Sequence, residues 1–389
     1  MVCFKNGPPR LLGVELEWTV HHDSDPRRPL DTSLLRLALG PHAPQTINAH
    51  RHVPIPLPAG SLISVEPGGQ VEISTVPTKS AAELIAVASA DTAALAERLA
   101  EFGLRLGRHG ADPHRPPRRL LQVPRYEAMQ SAFDLIGPYG SQMMCSTASM
   151  QVCLDAGEAD QCASRWAAAN ALGPTLVALF ANSPHMNGRR TGWVSSRLRA
   201  TMGTCPPFTL PPKPTVDPSG QWARLAMEAP VICLRDGGVS WVAPAGLTFA
   251  GWVSEPDQVG RRPTSDDLDY HLSTLFPPVR PKGYLEIRYL DAQPGSGWVT
   301  PFALLAALMA RQSTIEKVLR LTRTSSQRWF QAARDGLADP VLSAAACQII
   351  GLGAEALGHL DLSATQRSHV LAELGLRLKT ISTNQTVSA

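Results

Sequence analysis

Apolar and polar positions alternate in four stretches of the chain, and each reads as a strand with two unlike faces. In residues 11–20, LLGVELEWTV, Val14 and Leu16 point one way while Glu15 and Glu17 point the other. SLISVEPGGQVEISTVP, from Ser61, predicts a strand, a Gly-Gly turn and a second strand. MMCSTASMQVCLD, from Met143, predicts a strand with Thr147, Ser149, Gln151 and Cys153 on one face. Gly283–Leu290 puts Tyr284, Glu286 and Arg288 on one face.

Helical spacing fills much of the rest. Ser80 and Glu83 form a capping box that opens a helix expected to reach about Leu106. Residues 125–136 are helical in pattern, and Gly137-Pro138-Tyr139-Gly140 is expected to break the chain before the Met143 strand. An alanine-rich helix is expected from Ala159 to Phe180, interrupted at Gly173-Pro174. Thr300 followed by Pro301 predicts an N-cap and a helix to about Leu321, and Ser363 with Gln366 opens another. Loops are expected over His21–Gly60, Arg108–Arg119 and 203–220, the last with six prolines in eighteen residues. Strands and helices come in separate runs, which favours an α+β fold over a βαβ alternation.

Composition narrows the class. The chain has 389 residues, 44% hydrophobic and 18% charged, enough for a sizeable core. One catalytic domain is expected over 1–378, with KTISTNQTVSA, 379–389, as a disordered polar tail. A net charge of +3 offers no basic field for nucleic acid or a membrane surface. Leu172–Ala181 and Pro301–Ala310 read as the most apolar runs and fall short of the ~20 residues that span a bilayer. Met1–Trp18 lacks a signal-like apolar stretch, and seven cysteines without a CxxC pair fit a reducing compartment, so a cytoplasmic protein is expected. His50 and His52 have a ligand-like spacing, but in so proline-rich a stretch they read as solvent-exposed.

The candidate chemistry lies in the glutamates. Glu15 and Glu17 sit ~7 Å apart on one strand face, Glu66 and Glu72 flank the Gly-Gly-Gln turn, and Glu286 stands two residues from Arg288. All have apolar or β-branched neighbours. Carboxylates converging in a half-buried space repel one another unless cations neutralise them. A glutamate-only donor set suits Mg²⁺ or Mn²⁺, and such ions commonly accompany a nucleoside triphosphate. No GxxxxGK[ST] and no GxGxxG occurs, so phosphates would be met by metal and by arginine, with Arg288 best placed. Only six of the 36 basic side chains are lysine.

GVELEWTV, EPGGQVEIST, PRYEAMQ, MMCSTASMQVCLD, ANSPHMNGRRTGWVSSR and DLDYHLSTLFPPVRPKGYLEIRYLDAQP together resemble, in order, the motifs of the glutamate–cysteine ligase family. The likeness is to its plant and bacterial branch, and within that to actinobacterial ligases of ergothioneine biosynthesis; it runs from about residue 11 to about 310. The resemblance implies a glutamine-synthetase-like fold, a curved antiparallel sheet forming a funnel with helices outside. It implies an ATP-dependent enzyme joining L-glutamate to L-cysteine, with ATP, Mg²⁺ and the two amino acids as its small-molecule partners. By motif match Glu15, Glu17, Glu66, Glu72 and Glu286 are the metal ligands. Arg288 faces the transferring phosphate, with Glu286 beside it in the catalytic pair. Gln70, Thr147, Gln151 and Arg197 match substrate-binding positions.

The pattern departs in two places. Where the family carries Asp-Pro-x-Arg, this chain has TCPPFTLPP, without acid or arginine. That keeps two alternatives in play, a ligase for a different amine and a non-catalytic nucleotide- or metal-binding relative. Beyond about residue 320 the motifs fade.

Overall fold

The computed structural model describes residues 2–48, 53–206, 208–235 and 240–387, so His50 and His52 lie outside it. Six strands build one open antiparallel sheet, in the order Leu62–Val65, Val71–Ser74, Leu12–Trp18, Ser149–Leu154, Leu285–Asp291 and Val279–Pro281. Its register sets Glu17 opposite Glu72, Glu15 opposite Gln151, and Cys153 between Gly13 and Glu286. A slip of one residue would exchange the two faces, and the apolar face prevents it. Val14, Leu16, Val71, Ile73, Val152, Leu285 and Ile287 are buried in one core with the helices Gly173–Phe180 and Val299–Leu308, in which every residue is buried. Each such side chain contributes about 1.5–3 kcal/mol, so the apolar face fixes the direction of the glutamates on the other. The register shifts between Ile287 and Leu290, a bulge at Arg288 and Tyr289.

Several elements differ from the sequence reading, each for a local reason. The helix after Ser80 ends at Ala100; Gly103, at φ +66°, turns the chain, and Leu104–Leu106 pairs with Val20–His22. The Gly-Pro pair before Tyr139 starts a helix, Tyr139–Ser146, where proline's missing N–H is not needed. Gly140 lets that helix close on Phe133, whose Cβ would stand 2.1 Å from an added methyl, and the strand shrinks to Ser149–Leu154. Thr300 is no N-cap, because a 3₁₀ turn at Gly295–Trp298 begins the coil earlier and leaves Thr300 inside the helix. That helix stops at Leu308, and a second one runs Gln312–Leu321.

The break at Gly173-Pro174 falls as expected, between Cys162–Ala171 and Gly173–Phe180. The proline-rich segment is irregular between the helices Ser196–Thr204 and Pro218–Glu228. Residues 379–387 continue the helix Ala364–Val387, with Ile381 buried in the core. Among the described residues one helical segment, Pro340–His359 with 20 residues, is long and apolar enough to cross a membrane, longer than both runs singled out from the sequence, and half of it is buried in the protein. Its helix, Pro340–Ala356, packs against Val299–Leu308, Gly173–Phe180 and Ala364–Val387.

Candidate active site

Glu15, Glu17, Glu66 and Glu72 line one cavity of about 410 Å³ over the polar face of the sheet. Two of them arrive by strand alternation, and Glu66 and Glu72 are folded toward them by the turn between their strands. That turn depends on glycine. A Cβ on Gly68 would stand 2.2 Å from the Cys145 carbonyl oxygen, and Gly69 has φ +87°. Gln70 anchors the turn: its Oε1 accepts from Gly68 N at 2.9 Å, and its Nε2 donates to the carbonyls of Met144 and Thr147. Its amide is thus spent on backbone, and Gln70 does not line the cavity. Thr147, Gln151 and Arg197 do.

The glutamates are held apart by short polar contacts. Glu17 Oε2 accepts from Ser149 N at 2.9 Å and from its hydroxyl at 3.1 Å. Glu72 accepts from Ser64 Oγ at 2.9 Å and from Gln151 Nε2 at 3.1 Å. Burial, then repulsion by Glu66, pushes the Glu17 carboxyl up to about 8. Burial and the charges of Glu15, Glu66 and Glu17 hold Glu72 well above the carboxylate range. Burial also raises Glu66, against the pull of Arg288 and Arg125, and raises Glu15 with help from Glu286.

Glu286 has the opposite environment. Fully buried, its carboxylate receives Arg280 Nε at 2.6 Å, Arg288 Nη1 at 2.8 Å and Lys282 Nζ at 3.3 Å. Burial alone would raise its pKa, but Arg280, Arg288 and Lys282 outweigh burial and hold it well below the usual range. It does not line the cavity, whereas its three cations do. Arg288 Nη1 also donates to Gln151 Oε1 at 2.5 Å, so a continuous chain of contacts joins Glu286, Arg288, Gln151 and Glu72. The cavity therefore has an acidic wall with raised pKa values and a basic rim.

No three of the described His, Cys, Asp and Glu side chains form a ready-made metal cluster. The donor chemistry nevertheless fits a hard divalent cation. Four carboxylates share one cavity, two of them directly opposite in register, and like charges so placed destabilise a sheet until a cation balances them.

Three participants escaped the sequence reading. Arg280 and Lys282 share the parity of Glu286 and Arg288 in VRPKGYLEIR, a signal that was present in the strand pattern. Asp291, by contrast, gathers Arg197 Nε at 2.8 Å, Ser195 Oγ at 2.8 Å and Ser183 Oγ at 2.7 Å from more than 90 residues away. It leaves Arg197 Nη2 buried at the cavity wall with no hydrogen-bond partner among the described residues. In the segment that departs from the family motif, Thr209 is buried and lines the cavity, its hydroxyl donating to Met202 O.

An acidic sheet face beside a cluster of guanidinium and ammonium groups could take a hard cation and the oxygens of an anionic ligand side by side. The profile of glutamate–cysteine ligase family 2 matches residues 11–382, and the chain belongs to that family. The match extends through the C-terminal third, where short motifs alone gave no likeness. The chain is 42% identical over 312 residues to the glutamate–cysteine ligase EgtA of Mycolicibacterium smegmatis, covering 77% of this chain and 72% of that protein. It is 37% identical over 377 residues to EgtA of Mycobacterium tuberculosis, covering 94% and 83%. Its fold matches a crystal structure of the Francisella tularensis glutamate–cysteine ligase in complex with AMP, with a TM-score of 0.57 over 98% of this chain and 83% of that one, at 12% identity.

Proposed function

We propose that this protein joins the γ-carboxylate of L-glutamate to the amino group of L-cysteine, using ATP, to give γ-glutamylcysteine for ergothioneine biosynthesis. The observation that carries the reading is the juxtaposition of four cavity-lining glutamates with Arg280, Lys282 and Arg288. A γ-carboxylate oxygen attacks the terminal phosphorus and ADP leaves. The amine then attacks the acyl carbon of γ-glutamyl phosphate, losing a proton as phosphate departs.

Glu15, Glu17, Glu66 and Glu72 would hold Mg²⁺. When bound, such an ion supplies charge stabilisation on phosphate oxygens. Arg288, Arg280 and Lys282 present preorganised donors to the oxygens where negative charge grows. Gln151 and Glu286 fix the Arg288 fork, and acting through it makes both positioning residues in this reading. Arg197 Nη2, without a hydrogen-bond partner among the described residues, offers a donor for a substrate carboxylate, its guanidinium held by Asp291. The fold reading extends to a glutamine-synthetase-like funnel whose inner wall is the acidic face. All seven cysteines are free, as a cytoplasmic setting would keep them.

The altered segment around Thr209 favours one competing reading, a different amine acceptor. ADP release with Mg-ATP and glutamate, scanned over amines, separates the two. Cysteine is expected to give the largest stimulation, and a larger response to another amine would replace it as acceptor.

A further inference from the structure

The segment 105–119, RLGRHGADPHRPPRR, contributes nothing to the acidic wall or the basic rim of the main cavity. It carries five arginines and two histidines against one acid, Asp112. Its basic side chains part company. Arg105 pairs with Asp23, and Arg119 with Glu127 and Gln130. Arg115 and Arg118 line a separate cavity of about 80 Å³, where Arg27 joins them from the loop before Leu30.

Asp112 is the one carboxylate in that wall, and it is fully engaged. Its Oδ1 accepts from His114 N at 2.8 Å and Arg115 N at 3.1 Å, and its Oδ2 from Arg115 Nε at 2.7 Å. Arg115 Nη2 donates to the Val20 carbonyl at 2.8 Å, which fixes the guanidinium that balances Asp112. Arg118 Nη2 reaches the Leu30 carbonyl only at 3.5 Å. Among the described residues Arg27 forms a hydrogen bond through its backbone N alone, to Asp25 Oδ1. Burial pushes the Cys145 thiol in the same wall up to about 12, so it stays neutral. Two guanidinium charges thus share one small cavity with no counter-charge among the described residues, and like charges so placed repel until an anion joins them.

The cavity has the size of a group, not of a molecule. Water's share of volume is ~30 Å³, so about 80 Å³ takes one small oxyanion. Sites that enclose a whole organic ligand begin near ~300 Å³. A phosphate monoester carries about −1.5 to −2 near pH 7, which matches two guanidinium groups, and each planar fork can meet two of its oxygens. Pro116 and Pro117 restrict the backbone between Arg115 and Arg118, so the two are presented with little freedom to lose.

We propose that Arg27, Arg115 and Arg118 form a binding site for a phosphate group outside the main cavity, and that the bound group braces the turn carrying Glu66. Gly68 lines this second cavity, while Glu66 and Pro67 line the main one. The N–H groups of Leu120 and Leu121 both donate to the Pro67 carbonyl, at 2.6 and 3.1 Å, so the chain just after Arg118 is tied to that turn. An anion that holds Arg118 against Arg27 therefore steadies the turn from the side of Gly68. By linkage, a cation held at Glu66 strengthens phosphate binding as much as phosphate strengthens the hold on the cation. Binding at the three arginines does not depend on the ligase reading.

The test titrates inorganic phosphate and glycerol 3-phosphate separately into the full-length protein without nucleotide, by calorimetry, and reads hydrogen exchange at saturation by mass spectrometry. Saturable binding is expected, with slowed exchange over residues 66–70 and 115–121. The tighter of the two probes tells whether a free ion or a phosphate borne on an organic molecule is preferred, and either result supports the site. Arg27→Gln with Arg118→Gln is expected to weaken binding about tenfold or more and to abolish the protection. Arg280→Gln with Lys282→Gln is expected to keep both. Arg27 and Arg118 are exposed, so their replacement leaves the core intact; should the double variant fail to fold, Arg27→Gln alone is expected to weaken binding severalfold. Protection confined to residues 280–288, or no saturable binding of either probe up to about 10 mM, overturns the site. Protection at 115–121 with none at 66–70 overturns the coupling to Glu66.

Discussion

Arg288 Nη1 bridges Gln151 Oε1 at 2.5 Å and Glu286 Oε2 at 2.8 Å, so the cation best placed for phosphate is oriented from two strands at once. A lysine would keep the charge and lose the fork. Arg288→Lys is expected to lower kcat about 10²–10³-fold with smaller changes in the KM values for glutamate and cysteine. Steady-state kinetics on the purified variant checks this, and an unchanged kcat removes Arg288 from the phosphate.

Glu286 and Glu66 both belong to the set of five glutamates read from the sequence, yet they should respond in opposite directions to neutralisation. Glu286→Gln removes the one carboxylate that three cations share, which for a buried group costs about 3–5 kcal/mol. Glu66→Gln relieves repulsion against Glu17 and Glu72. Thermal melting in a chelator is expected to drop for Glu286→Gln and to rise by a few degrees for Glu66→Gln, roughly 1 kcal/mol. Activity is expected to fall in both.

Removing divalent metal should make stability depend on pH with a defined sign. Glu17 rises from its ordinary 4.5 to about 8 in the fold, and Glu15, Glu66 and Glu72 shift the same way. Between those values the folded state binds more protons than the unfolded state, so unfolding free energy falls as pH rises. Metal-free protein is therefore expected to carry the full contribution of these groups at and below about pH 4.5, and to lose it as pH rises through about 8. Added Mg²⁺ should flatten the profile. Denaturant titrations across this range, with and without the ion, measure it; a metal-free profile that rises with pH would refute the assignment.

Asp291 holds Arg197, Ser195 and Ser183 together from beneath the cavity. Asp291→Asn keeps the size and loses the charge that balances buried Arg197. The expected result is a loss of stability of about 2–4 kcal/mol and a raised KM for an amino-acid substrate, read by denaturant unfolding and by kinetics. Wild-type KM values in a destabilised variant would confine Asp291 to the fold.

The acidic face was legible because strand alternation has a period of two, and Glu15, Glu17 and Glu286 each sit between residues that are buried. The helix Tyr139–Ser146 was hidden because Gly-Pro serves both as a breaker and as a helix start. Contact with Phe133, which no local pattern contains, decides between them. Thr300 was misread for a similar reason, since the preceding 3₁₀ turn carries no apolar period. Gln70 looked like a ligand residue by its place beside the glutamates, and only the fold shows its amide committed to the backbone of Met144 and Thr147. Asp291 was invisible because its partners converge through tertiary structure.

The central claim is that the γ-carboxylate of glutamate is activated by phosphoryl transfer in this cavity. Turnover of glutamate labelled with ¹⁸O in its γ-carboxylate, with Mg-ATP and cysteine, tests it most directly by mass spectrometry of the released phosphate. The account predicts one labelled oxygen in phosphate for each γ-glutamylcysteine formed. Product formed with unlabelled phosphate would contradict it.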